Sequence, residues 1–138
     1  MKMTNPTTAI IVFAHGSPVA EANQEIARLA EEVSRRAQCP ADCAFLEVAQ
    51  PDLATAVARA VGMGAERIVV VPYFLTMGVH VREDLPRLIE QQKALFPHVE
   101  ILVGQSLEGL PHMAEMILKR VQEALPEQQR LHSTEGYC

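Results

Sequence analysis

Three short segments carry the side chains best suited to chemistry: His15-Gly16-Ser17, the carboxylate Glu47, and Gly78-Val79-His80. Imidazole and carboxylate are ligands for divalent first-row metals, and imidazole takes up a proton near neutral pH. Each residue also has a plain structural reading. A histidine after a strand can serve only as a capping or hydrogen-bonding group. Glu47 can be a solvated carboxylate at a strand end, and His80 a helix-start residue beside Asp84. Their joint placement is what points to a site. His98, His112 and His132 fall in helix-start, loop or tail positions and read as surface.

Other chemistries require residues that are missing. A histidine phosphatase needs an arginine just before the histidine, and position 14 is alanine. A nucleophile elbow needs G-x-S-x-G, whereas Gly104-Gln105-Ser106-Leu107-Glu108-Gly109 has one residue too many. Neither phosphate-binding glycine pattern occurs. Cys39 and Cys43 flank Pro40 without forming a C-x-x-C pair and read as one surface and one core thiol.

The elements that must position these residues alternate in type. Thr8 to Ala14 and Ile68 to Phe74 are continuous apolar runs, as expected of strands buried on both faces of a parallel sheet. Cys43 to Val48 and Val99 to Val103 are weaker strand candidates. Helical spacing of apolar residues marks Glu21 to Ala37, Asp52 to Val61, Glu83 to Leu95 and Pro111 to Leu125. Pro51 suits a first turn, and Gly62-Met63-Gly64 suits a helix end. The order predicts a single three-layer α/β domain over residues 1–125, with a four-stranded parallel sheet flanked by helices. Residues 126–138 read as a polar, flexible tail. Ligands of open α/β sheets bind beyond the carboxyl ends of the strands. There the segments after strands one, two and three would converge.

Composition narrows the partners. The chain has 138 residues, 49% hydrophobic and 21% charged, with a formal net charge of -5. This excludes a disordered chain and gives no support for nucleic-acid binding, which favours a basic surface. No apolar stretch approaches the roughly 20 residues of a membrane span. Three cysteines form no paired framework, and no signal peptide is read, so a reducing cytoplasm is expected.

Taken together, Ala14-His15-Gly16-Ser17, then Phe45-Leu46-Glu47 with Gln50-Pro51, then Val71-Pro72-Tyr73-Phe74-Leu75 running into Gly78-Val79-His80 and Asp84-Leu85-Pro86 resemble the CbiX/SirB sirohydrochlorin chelatases. The likeness covers roughly residues 8 to 125, and the length resembles the short, homodimeric form. It implies ATP-independent insertion of a divalent metal into sirohydrochlorin, on the way to cobalamin, siroheme or the methanogenic nickel cofactor. The metal is Co²⁺ by preference, with Fe²⁺ or Ni²⁺ as alternatives. The family's metal-associated histidines fall on His15 and His80, and its acidic residue falls on Glu47. The metal is then a substrate, and no permanent cofactor is implied.

The bottom-up chemistry is compatible with that resemblance. Neutral imidazoles can hold a metal weakly and accept pyrrole protons, while Glu47 orients a histidine or assists proton transfer. The anionic macrocycle calls for local donors despite the net acidity. Gly16, Ser17 and Arg82 are candidates, with the amino ends of helices one and three. Arg87 reads rather as a solvated helix residue. Leu75-Thr76-Met77 offers an apolar surface to the ring, or equally core or dimer contact. Met63, Met113 and Met116 are candidates for the contact between copies, although core packing explains them as well. The rival readings are a metal or tetrapyrrole carrier using His15 and His80, a hydrolase using Ser17 or Ser106, and a retired paralogue. The intact His15, Glu47 and His80 speak against the last.

Overall fold

The computed structural model describes residues 6–130. Four parallel strands, β1 (Thr8–Ala14), β2 (Ala41–Phe45), β3 (Arg67–Pro72) and β4 (Glu100–Val103), form one sheet in the order β2-β1-β3-β4. Helices α1 (Ala20–Ala37), α2 (Leu53–Gly62) and α3 (Val79–Leu95) connect them in turn. The chain forms two compact units, one running to Ser106 and the other starting at Leu107. The first contains the whole sheet. The second contains α4 (His112–Ala124) and a 3-10 turn at Glu127–Gln129. Of the expected tail, residues 131–138, with His132 and Cys138, lie outside the described residues.

Both faces of β1 are buried, which accounts for its unbroken apolar run. Ala9, Ile11 and Phe13 join Ile68, Val70, Ala56, Val57, Leu85 and Ile89 in one core cluster under α2 and α3. Val12 and Ala14 point the other way and join Cys43, Phe45 and Ala30 under α1. The strands thus form the middle of three layers. Burial also pushes the Cys43 thiol above its ordinary pKa.

Several element boundaries differ from the sequence expectation. β2 begins at Ala41 and ends at Phe45, so Glu47 lies in the loop beyond the strand. β2 is an edge strand, where the half-buried polar Asp42 is tolerated. β3 ends at Pro72 rather than at Phe74. Helix α3 begins at Val79, four residues before Glu83, and runs through Pro86, which has no N–H for the Arg82 carbonyl. His80 therefore occupies the first helical turn rather than the loop before it. Pro51 precedes α2, whose cap is Asp52, with Asp52 Oδ1 accepting from the Thr55 N–H at 2.9 Å. The Thr55 side chain first, and then its N–H, hold the Asp52 carboxyl below its ordinary range.

Candidate functional site

The parallel register brings the carboxyl ends of three strands level: Ala14 is opposite Phe45, and Phe13 is opposite Pro72. Pairing continues past the strands. Leu46 N–H donates to the Ala14 carbonyl at 2.9 Å, Glu47 N–H to the His15 carbonyl at 3.1 Å, and Tyr73 N–H to the Phe13 carbonyl at 2.7 Å. His15 and Glu47 are thus main-chain neighbours, and their side chains meet, with His15 Nε2 2.8 Å from Glu47 Oε1. Both side chains are more than half exposed, at 52% and 59%. This is an open imidazole–carboxylate pair within reach of solvent and of an incoming ligand.

The backbone around the pair is tightly specified. Gly16 has φ +96, and a Cβ there would lie 2.0 Å from the Glu47 carbonyl oxygen. Only glycine fits both the left-handed conformation and the close approach. The same carbonyl accepts the Ala49 N–H at 2.8 Å, closing a γ-turn around Val48, whose φ is 72. A β-branched residue in that conformation is a strained exception. Phe45 N–H then donates to the Pro51 carbonyl at 2.9 Å, tying the Glu47 loop back to its own strand. On the His15 side, Ser17 Oγ accepts from the Val19 N–H at 3.0 Å, and the Asn23 side chain holds both backbone groups of Ser17.

The other expected site residues sit at the same edge of the sheet. His80 and Arg82 are exposed on the first turn of α3, which has Gly78 as its N-cap and no side-chain cap. Helix α1 likewise starts without a side-chain cap. Arg87 is engaged by Asp84 at 3.5 Å, as expected of a solvated helix residue. Within Leu75-Thr76-Met77, Met77 packs on the core and Leu75 is exposed. Leu75 belongs to a set of outward apolar residues on the segments after β1, β2 and β3 that sequence reasoning missed in part. Val19, Val48, Tyr73, Leu75 and Val79 are between 38% and 69% exposed. Among the described residues, no three His, Cys, Asp or Glu side chains cluster to hold a metal. The geometry joins His15 to Glu47 and adds no third ligand to that pair.

An open parallel sheet with a histidine–carboxylate pair and a second histidine-bearing helix at its carboxyl edge is the α/β arrangement in which ligands bind beyond the strand ends. The CbiX family model matches residues 9–124. A sirohydrochlorin cobaltochelatase of Methanopyrus kandleri is 28% identical over 87% of this chain and 99% of its own. The crystal structure of a CbiX protein from Marinobacter aquaeolei VT8 superposes with a TM-score of 0.75 at 35% identity, covering 90% of this chain and 99% of that one. The sirohydrochlorin chelatase SirB of Bacillus subtilis subspecies spizizenii, solved with cobalt, gives a TM-score of 0.80 at 27% identity. That match covers 86% of this chain and 51% of the SirB chain. The chain belongs to the CbiX family.

Proposed function

We propose that the protein is a chelatase that inserts a divalent metal into sirohydrochlorin without ATP. Co²⁺ is the favoured ion, with Fe²⁺ and Ni²⁺ as alternatives. The observation that carries the reading is the 2.8 Å His15–Glu47 pair on the carboxyl edge of the sheet, the edge from which α3, with His80 in its first turn, also starts. Family membership and the cobaltochelatase relative support the same activity.

Insertion must deliver a partly dehydrated M²⁺ to the ring and remove two pyrrole protons, so one M²⁺ enters for every two H⁺ released. His15 and His80 present the ion through neutral imidazole nitrogens and take up the departing protons. Glu47 orients the His15 ring. The exposed Val19, Val48, Leu75 and Val79 offer an apolar seat for the macrocycle. Ser17, Arg82 and the uncapped amino ends of α1 and α3 supply donors to its carboxylates, and Gly16 allows the loop to approach closely. The protein works in the cytoplasm as a homodimer, with two copies enclosing a ring that is wide for one small sheet. Met116 is exposed rather than packed in the core, which leaves it available for such a contact. Met63, also exposed, caps the far end of α2 beside Thr7 and Thr8, at the edge opposite His15.

Replacing His80 by alanine should reduce insertion to the protein-free rate while leaving the circular dichroism spectrum unchanged. Because His80 is exposed, its loss opens no cavity. Wild-type insertion by the His80→Ala protein would remove His80 from the chemistry.

A further inference from the structure

Helix α1 carries an asparagine where its own stability does not ask for one. Asn23 is the fourth residue of the helix, and asparagine is a weak helix former compared with alanine. Its side chain is instead spent on the loop before the helix. Asn23 Oδ1 accepts the Ser17 N–H at 2.9 Å, and Asn23 Nδ2 donates to the Ser17 carbonyl at 2.7 Å. Both bonds are partly buried.

The His15 loop is therefore held from two sides. From the sheet, the His15 carbonyl accepts the Glu47 N–H at 3.1 Å. From the helix, Asn23 takes both polar groups of Ser17, two residues further on. Gly16 bridges the two anchors with φ +96, against the Glu47 carbonyl. Ser17 Oγ is occupied locally by the Val19 N–H. Asn23 is thus the link between the His15 loop and helix α1 that involves both the donor and the acceptor of one peptide residue. A single amide meets that demand, because it carries a donor and an acceptor on one rigid plane.

We propose that Asn23 is a positioning residue: by clamping the backbone of Ser17 to α1, it fixes the His15 imidazole against Glu47 for metal transfer. The proposal rests on the chelatase reading for its kinetic consequence and on the geometry alone for its structural one. A displacement of about 1 Å at a reacting group can cost on the order of a hundredfold in rate. The clamp holds the His15 loop, so its loss must appear in kcat; Ser17 and Val19 lie in the same turn, so substrate KM rises with it.

The test compares wild type with Asn23→Ala, Asn23→Asp and Gln24→Ala, the last a control at the adjacent, exposed position of the helix. Asn23→Ala should lose at least tenfold in kcat for Co²⁺ insertion, whatever the accompanying rise in sirohydrochlorin KM. Its melting temperature should fall by only a few degrees, since alanine's helix preference offsets part of the two lost hydrogen bonds. Asn23→Asp keeps an acceptor for the Ser17 N–H but sets a carboxylate oxygen against the Ser17 carbonyl, so it must also lose kcat. Gln24→Ala should match wild type. Full kcat in either Asn23 variant, or a loss confined to KM, overturns the proposal. Amide hydrogen exchange at Ser17, read without substrate, should accelerate at least tenfold in Asn23→Ala, and unchanged exchange also overturns it. If wild type fails to insert metal, the chelatase reading falls, while the exchange result still decides the clamp.

Discussion

His15 and Glu47 meet because their main chains pair first. The ladder between β1 and β2 runs on past both strands, and the side-chain contact follows from that register. Glu47→Gln should keep the shape but lose the negative charge behind the imidazole. A fall of about 10- to 100-fold in insertion rate is expected, the size typical of partners that orient metal-binding histidines. Equal rates for the two proteins would make Glu47 a bystander. Gly16→Ala must strain both a left-handed position and a carbonyl contact. It should lower the unfolding free energy by about 1–3 kcal/mol in urea titration, and a neutral outcome would contradict the close approach. Here the chemistry-bearing types were legible: His15 and His80 stood out by type and by their place after predicted strands, and Glu47 as a carboxylate at the end of one. Asn23 was not, because an amide in an amphipathic helix looks like any solvated residue. Its signal was only a weak helix former near a helix start.

The elements were legible where the apolar pattern was unbroken and blurred where it was not. β1 and β3 are interior strands, and their runs identified them. β2 is an edge strand, and its polar start at Asp42 hid two residues of it. Pro86 concealed the true beginning of α3, since proline usually marks a first turn. The loop from Leu46 to Pro51 is held by turn chemistry rather than by hydrophobic pattern, so its γ-turn had no periodic signature. Asp52 closes this loop by capping α2, and Asp52→Ala should cost about 1 kcal/mol at neutral pH. The sign follows from its lowered carboxyl pKa. The ionised cap stabilises the fold above the ordinary aspartate range, and this contribution fades as pH falls through the lower folded value. Wild type and Asp52→Ala should therefore converge in stability on acidification, and a gap that widens instead would contradict the cap. Val48→Gly should raise stability by about 1 kcal/mol by relieving a left-handed β-branched residue whose side chain is exposed. A clear loss in thermal unfolding would show that the γ-turn is unstrained.

On the scale of the whole molecule, an acidic protein with a net charge of -5 is proposed to take a polycarboxylate ring. Local donors must then outweigh the overall field, and Arg82 is the exposed cation on the first turn of α3. Arg82→Ala should raise the sirohydrochlorin KM severalfold with little effect on kcat, measured by initial rates at low salt, where charge attraction is least screened. A change in kcat alone would assign Arg82 a different task. The parallel α/β architecture was readable from the alternation of runs, because strand-to-helix crossovers leave few other topologies. Turnover of sirohydrochlorin by a site containing His15 is decided by an anaerobic absorbance time course of the purified protein with sirohydrochlorin and Co²⁺, beside His15→Ala and a protein-free control. Conversion beyond one equivalent of protein, faster than the control and lost in His15→Ala, is the predicted result. A single stoichiometric shift without turnover, or equal rates in wild type and His15→Ala, would contradict it.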